Sequence, residues 1–378
     1  MQDTDNKAFL TSAVGVDAGC PADGTTRVAK PVLFITRKWG PAIGGMETYC
    51  ERLTEELART RPVEVIALRG RRDGRPPGTL SLLAFPVTVI RRLARLKRRP
   101  SVVHLGDLAI WPMALLVVMF LPRATIVITG HGTDVSYGAR GGVRGSLYSA
   151  YIRIGALMLR RAKVIANSRA THDRLAAAGW RDASIVPLAT DLRAMEGTRS
   201  DCHSIVFAGR LIKQKGCGWF VREVLPLLPK RIRLQVIGTR WHSAEDSALD
   251  NPRVDFLGHK HRRELARYYG RASCVVIPNI ETHNGEYEGF GLVAPEAASS
   301  GGVVLASATG GLHDAVIDGV TGFLLPPGDA KAWSEKICEI LDWSETERSA
   351  FVEQAQTVSH AHYSWSRVAA DTARVYQE

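Results

Sequence analysis

From Val32 onward, short apolar runs rich in Val and Ile alternate with longer segments in which apolar residues return every three to four positions. Unbroken runs of four to six apolar residues fit strands buried on both faces, and the segments between them fit crossover helices, so the pattern predicts parallel sheet rather than meander. Strands are expected at residues 32–36, 63–67, 102–105, 125–129, 163–166 and 185–188. A polar, aperiodic stretch at 195–203 follows, and the alternation then restarts, with strands expected at 205–208, 234–237, 254–257, 274–278 and 303–306 and helices at 265–271 and 292–300. The chain thus reads as α/β: two consecutive doubly wound, Rossmann-like domains, at 31–195 and 196–365, followed by a last helix over about 366–378. Ligands of such sheets lie beyond the carboxyl ends of the strands, so two of them facing each other make a cleft whose loops hold the chemistry.

Length agrees with this division, since 378 residues are too many for one typical domain and comfortable for two. A hydrophobic content of 45% with 23% charged residues excludes a disordered chain, a collagen and a coiled coil. Residues 1–30 read as a tail; Asp3 and Asp5 stand where a signal peptide wants positive charge. The longest apolar stretch, residues 111–121, is about half of the ~20 residues that span a bilayer, so no transmembrane helix is expected. Six widely spaced cysteines without a Cys-x-x-Cys pair indicate neither a disulfide framework nor a zinc site, which fits a reducing, cytoplasmic location. The charge is +11, and it is unevenly placed: residues 1–195 hold 29 Lys and Arg against 15 Asp and Glu, net +14, whereas 196–378 hold 20 against 23, net −3. One half is therefore expected to face an anionic surface or polymer.

Four loops after strands carry candidate chemistry. In 39–47, Gly44 and Gly45 precede a helix, an arrangement that suits a phosphate or is a plain strand-to-helix turn; it lacks the Gly-x-Gly-x-x-Gly dinucleotide fingerprint. In 209–216, Arg210 and Lys215 can converge on one anionic group, the alternative being a solvated basic loop. In 288–296, Glu288 and Glu296 flank a Gly-x-Gly turn, so the N–H groups of Gly291, Leu292 and Val293 point outward between two carboxylates. That combination suits a ligand with both phosphate and hydroxyl groups. His131, in His131-Gly132-Thr133-Asp134, lies at a strand's carboxyl end; the remaining histidines form no ligand set. Asp3-Thr4-Asp5, a spacing that elsewhere binds a divalent metal with nucleotide sugars, falls in the tail and is discounted.

The spacing of Gly44-Gly45, His131-Gly132, Asn167-Ser168, Gly209-Arg210, Lys215-Gly216, Gly238, Glu288 and Glu296 seven intervening residues apart, Gly310-Gly311 and Thr321-Gly322 resembles family 4 glycosyltransferases, which are retaining and nucleotide-sugar-dependent, over about residues 31–376. The resemblance implies the GT-B fold, with the acceptor at the first domain, the donor at the second and the final helix crossing back onto the first. By the same resemblance Gly44, Gly45, Arg210 and Lys215 hold the donor diphosphate, Glu296 the ribose, and Glu288 and His131 the transferred sugar, while Gly238, Gly291, Leu292 and Val293 belong to the donor site. No metal or other cofactor is expected, because Arg210 and Lys215 neutralise the leaving diphosphate. The implied reaction moves a hexose from a UDP- or GDP-sugar to a hydroxyl of a saccharide or lipid-linked acceptor. The sequence departs from the family at Gly301-Gly302, at Asp314 and in the long approach 278–287 to Glu288. Competing expectations are an epimerase or phosphorylase on the same fold and a catalytically silent scaffold.

The segment 91–99 holds six cations: Arg91, Arg92, Arg95, Lys97, Arg98 and Arg99. As one amphipathic helix with Val89, Leu93 and Leu96 on its apolar side, it is expected either to touch an anionic membrane or to be a solvated face. No aromatics interleave with the charges, so nucleic acid is not an expected partner.

Overall fold

A computed structural model describes residues 30–378 apart from 43, 196–200, 241–242 and 283–285. The tail at 1–29, with Asp3 and Asp5, lies outside the described residues. Six parallel strands, β1 (Val32–Thr36), β2 (Val63–Ala67), β3 (Val102–Leu105), β4 (Thr125–Gly130), β5 (Lys163–Ala166) and β6 (Ala183–Ile185), form one sheet in the order β2-β1-β3-β4-β5-β6. Six more, β7 (Asp201–Ala208), β8 (Arg233–Ile237), β9 (Val254–Gly258), β10 (Ala272–Ile277), β11 (Val304–Ser307) and β12 (Phe323–Leu325), form a second in the order β12-β11-β10-β7-β8-β9. Each sheet reverses its winding once, between β1 and β3 and between β7 and β10. The crevices for ligands therefore open beyond the carboxyl ends of those two pairs.

Burial explains why these runs are strands. Every residue of β1, β3, β10 and β11 is buried, which requires cover on both faces and leaves no polar alternation to read. On one face of the first sheet, Leu33, Ile35, Val103 and Ile128 pack under the helices Thr79–Leu93, Pro112–Phe120 and Gly142–Met158. On the other, Phe34 and Val127 pack with Tyr49, Leu53 and Leu57 of the helix Gly45–Ala58 and with Val368 and Val375 of the last helix, Trp365–Val375. That last helix is also bolted to the first half by polar contacts. His104 binds the Tyr376 hydroxyl through Nδ1 and Thr129 Oγ1 through Nε2, both at 2.7 Å, and Lys163 donates to the carbonyl of Val375 at 2.9 Å. Burial, with His131 nearby, pushes His104 down to about 3, so this ring is a neutral structural group.

Four expectations need correction. The sixth strand ends at Ile185 rather than starting there: Val186 still donates to the carbonyl of Ala166, and Pro187 then has no N–H to continue the ladder. Asp201 to His203, expected in the linker, extend β7, where Asp201 pairs with Ala272; 196–200 lie outside the described residues. A twelfth strand, Phe323–Leu325, escapes the pattern because it has three residues of which only Leu325 is buried. Finally, the basic segment is not one helix. The helix ends at Leu93, and Leu96 folds down onto the apolar core. Arg95, Lys97, Arg98 and Arg99 thus sit in the turn toward β3, with Pro100 disfavouring helix at the residue before it.

Candidate active site

A group of ionisable side chains gathers at the carboxyl edge beyond β7 and β10. Gly209 and Arg210 follow β7, and Lys215 ends a short turn whose Gln214 carbonyl accepts the N–H of Ile280, tying it to the loop after β10. Lys215 Nζ is hydrogen-bonded to Glu288 Oε2, and Asn279 Nδ2 donates to the same oxygen at 3.2 Å. Burial raises the Glu288 carboxyl, but the Lys215 ammonium, the bonds from Lys215 and Asn279 and the charge of Arg210 together bring it below the usual glutamate range. Glu288 is therefore an anion at neutral pH, held by a cation that still has two N–H donors to give. A cavity of about 460 Å³ opens beside it, lined by Gln214, Asn279, Tyr287, Glu288, Thr309 and Gly310 and, from the first half, by Asp173 and Arg174.

Gly238 closes the floor of this region: its φ is 151°, and a Cβ there would lie 1.8 Å from the carbonyl oxygen of Gly209. Only glycine lets the ends of β7 and β8 come this close. Gly291 packs against Leu312, and Leu292 and Val293 open the helix Val293–Ser299. Glu296 projects from the first turn of that helix, and its carboxylate accepts no hydrogen bond among the described residues. Burial raises it to about 7, against the pull of Arg262, while Asp191 reinforces the rise. The two glutamates are thus held in opposite states, one stabilised as an anion and one poised to gain a proton.

The first half supplies loops that meet these. Gly45 comes against Leu292, and Gly44 leaves room for the carboxylate of Glu47, which pairs with Lys38 at 3.3 Å. His131 follows β4; its Nε2 donates to the carbonyl of Gly106 at 2.9 Å, its ring meets Tyr49 edge-on, and its N–H is held by Asp134 at 2.8 Å. The halves touch at Gly132, with φ 98°, and Gly289: a Cβ on Gly132 would lie 2.6 Å from Gly289 Cα. Around this point Asn167 donates to the His131 carbonyl, Thr171 binds the Tyr287 hydroxyl at 3.1 Å, and Arg174 lies 4.0 Å over the Tyr287 ring.

Of the residues singled out in the sequence, Arg210, Lys215 and Glu288 are brought together, and Gly44, Gly45, His131, Gly291, Leu292, Val293 and Glu296 rim the same junction. Sequence reasoning missed Asn279, Gln214, Tyr287 and Arg174, which gain their neighbours only through tertiary contact. It also missed the pair of Arg37 and buried Asp107 after β1 and β3, bonded at 3.0 Å; the second oxygen of Asp107 has no partner among the described residues. The only signal for Arg37, Asp107 and Asn279 was position, a polar residue one or two steps past an apolar strand. No group of three His, Cys, Asp or Glu that could hold a metal occurs among the described residues.

Two family models match the chain, "Glycosyltransferase Family 4" over residues 43–193 and "Glycosyl transferases group 1" over 202–342. A glycogen synthase of Mycobacterium tuberculosis (strain CDC 1551 / Oshkosh) is 28% identical over 322 residues, 78% of this chain and 74% of that protein. A D-inositol 3-phosphate glycosyltransferase of Xylanimonas cellulosilytica is 32% identical over 204 residues, 50% of this chain but only 45% of the relative. Among solved structures, sucrose-phosphate synthase from Thermosynechococcus elongatus matches with a TM-score of 0.71 at 21% identity, covering 92% of this chain and 98% of that one. Anabaena HepE in complex with UDP and glucose matches with a TM-score of 0.69 at 17% identity, covering 92% and 99%. Fold and family matches together define the chain as a GT-B glycosyltransferase.

Proposed function

We propose that this enzyme transfers a hexose from a UDP- or GDP-sugar to a hydroxyl of a saccharide or lipid-linked acceptor, with retention at the anomeric carbon and without a metal, in polysaccharide or glycolipid assembly. The observation that carries the reading is the Arg210, Lys215, Glu288 and Asn279 cluster beside an open cavity at the turning point of the second sheet. A diphosphate seated there faces two cations, which stabilise the charge that develops on the leaving group in place of a metal ion. Glu288, anchored by Lys215 and Asn279, turns its free oxygen to the sugar hydroxyls. Glu296 takes the ribose, and Gly44 and Gly45 let the first half's backbone approach the phosphates. Residues 31–195 hold the acceptor, and 196–365 hold the donor.

No carboxylate of the cluster is free to serve as a covalent nucleophile, since Glu288 is committed to Lys215. In the proposed step the acceptor oxygen attacks the anomeric carbon from the face the diphosphate leaves. The acceptor's proton passes to a departing phosphate oxygen, so the new C–O bond keeps the old configuration. His131 is held as the Nε2–H tautomer by the Gly106 carbonyl, which leaves Nδ1 as an acceptor for a sugar hydroxyl. Peripheral attachment to an anionic membrane through Arg91, Arg92, Arg95, Lys97, Arg98 and Arg99 belongs to the same proposal.

The HepE structure is a complex with UDP and glucose, which supports a uridine donor as the first to try. A thermal-shift screen of UDP, GDP and ADP tests the reading, because a ligand at 100 times its Kd stabilises by about 2.7 kcal/mol. A shift with UDP or GDP is expected; no shift with any nucleotide contradicts it.

A further inference from the structure

We infer that the outer surface of three helices in the first half inserts into the interfacial layer of an anionic lipid bilayer. This goes beyond charge contact by the 91–99 segment and does not depend on the transfer reaction. The helices Thr79–Leu93, Pro112–Phe120 and Gly142–Met158 lie on one face of the first sheet, and each already buries an apolar side: Phe85, Val89 and Leu93 on the first, Ala114 and Val117 on the second, Ile152 and Ala156 on the third. Their opposite sides are apolar as well. Leu80, Leu83, Val87 and Ile90 follow helical spacing on the first, with Leu80 82% exposed. Val118 and Met119 continue the surface on the second, and Val143, Leu147, Ile154, Leu157 and Met158 on the third, where Val143 is 77% exposed. A helix apolar all round is normally buried, and here no described residue covers the outer side.

Charge decides what covers it. Between residues 74 and 172 the chain has fifteen Lys and Arg and two acidic residues, Asp107 and Asp134, both buried. The three helices themselves carry no Asp or Glu, so the face they form is apolar and cationic. A second copy would set these cations against an identical array with nothing to pair them, whereas anionic headgroups above an acyl layer match both components. The fold also sorts the charges. In a parallel sheet each crossover helix runs back to the amino edge, so Arg91 to Arg99, Arg123 and Arg160 to Arg161 collect at the edge away from the cleft. There a hollow of about 610 Å³, bordered by Leu157, is lined by Arg160, Arg161, Lys163 and Arg181 as well as by Trp180, Asp182 and Glu378, and its cationic majority offers a seat for a phosphate headgroup. No helix among the described residues is long and apolar enough to cross a membrane, so the face lies in the surface of the bilayer.

Flotation of the whole protein with vesicles of equal phosphatidylglycerol and phosphatidylcholine, against phosphatidylcholine alone, tests this without donor or acceptor, so failure of the transferase reading leaves it untouched. Wild type is expected to float with the anionic vesicles, with binding that weakens but persists as salt is raised, since insertion is not screened. Leu83→Ser, Val87→Ser, Leu147→Ser and Leu157→Ser combined should lower partitioning on the order of tenfold or more, with thermal stability and donor hydrolysis unchanged. Arg91→Gln, Arg92→Gln, Arg98→Gln and Arg99→Gln should remove the salt-sensitive share. Flotation of the serine variant like wild type, equal binding to neutral vesicles, or a solution dimer that the serine variant dissociates would each overturn the inference, the last by assigning the face to a second copy.

Discussion

The two halves share one architecture and use it differently. Each is a six-stranded parallel sheet with one turning point, yet the second places a cation, an amide and a carboxylate in mutual contact at that point. The first pairs Arg37 with Asp107 and Lys38 with Glu47 at its own carboxyl edge, and the outer side of three of its helices exposes apolar side chains. Of the exposed large apolar residues among those described, Leu227 alone belongs to the second half. The same winding thus carries a carboxylate–ammonium cluster in one domain and an exposed apolar helix face in the other. Substitutions at the second half's carboxyl edge should therefore act on chemistry, and those on the first half's helices on location.

The largest effect is expected where backbone geometry admits no side chain. Gly238→Ala forces a Cβ onto the Gly209 carbonyl and should cost about 2–4 kcal/mol of stability together with most activity, read by denaturant melts and turnover. A melt equal to wild type would show that the β7 and β8 ends can part. Next come Arg210→Ala and Lys215→Ala, each removing a charge-assisted contact worth about 1.5 to 3 kcal/mol, or roughly ten- to a hundredfold in kcat/KM. Lys215→Ala also strands Glu288 without its cation, so it should be the more damaging of the two.

The glutamates sharpen the contrast further. Glu288→Gln should chiefly lower kcat and Glu296→Gln chiefly raise the donor KM; identical profiles would contradict separate sugar and ribose roles. Glu296 has a pH signature too. A carboxyl raised to about 7 from an ordinary 4.5 binds its proton more tightly when folded, so its contribution to stability is complete below about 4.5 and is lost as pH rises through 7. Glu296→Gln should therefore gain a few degrees in Tm over wild type at pH 8 and little at pH 4. The smallest effect is expected from EDTA, which should leave turnover unchanged; a loss restored by manganese would show that the cations do not suffice.

The sheets were legible because β1, β3, β10 and β11 are covered on both faces, and double burial writes unbroken apolar runs into the sequence. Where burial is partial the signal fades, as in the three-residue β12 and in β6, misplaced by the apolar stretch up to Leu188. The basic segment was over-extended because periodicity records which positions are apolar, not where a chain stops being a helix; Leu96 reaches the core from a turn. Arg210, Lys215 and Glu288 announced themselves as charged residues beside glycines after strands. Arg174 and Tyr287 did not, since they meet only when the two halves come together, and Asn279 did not, since nothing in the sequence shows that its amide reaches Glu288 nine residues on.

The central claim, that the cluster after β7 and β10 holds the donor's diphosphate, is tested most directly by calorimetric titration of UDP and GDP, in the presence of EDTA, into wild type and the Arg210→Ala, Lys215→Ala double variant. Saturable binding of one nucleotide by wild type, weakened at least tenfold in the double variant, is the predicted result. Equal affinity in both proteins, or binding by wild type only after a divalent metal is added back, would contradict the account.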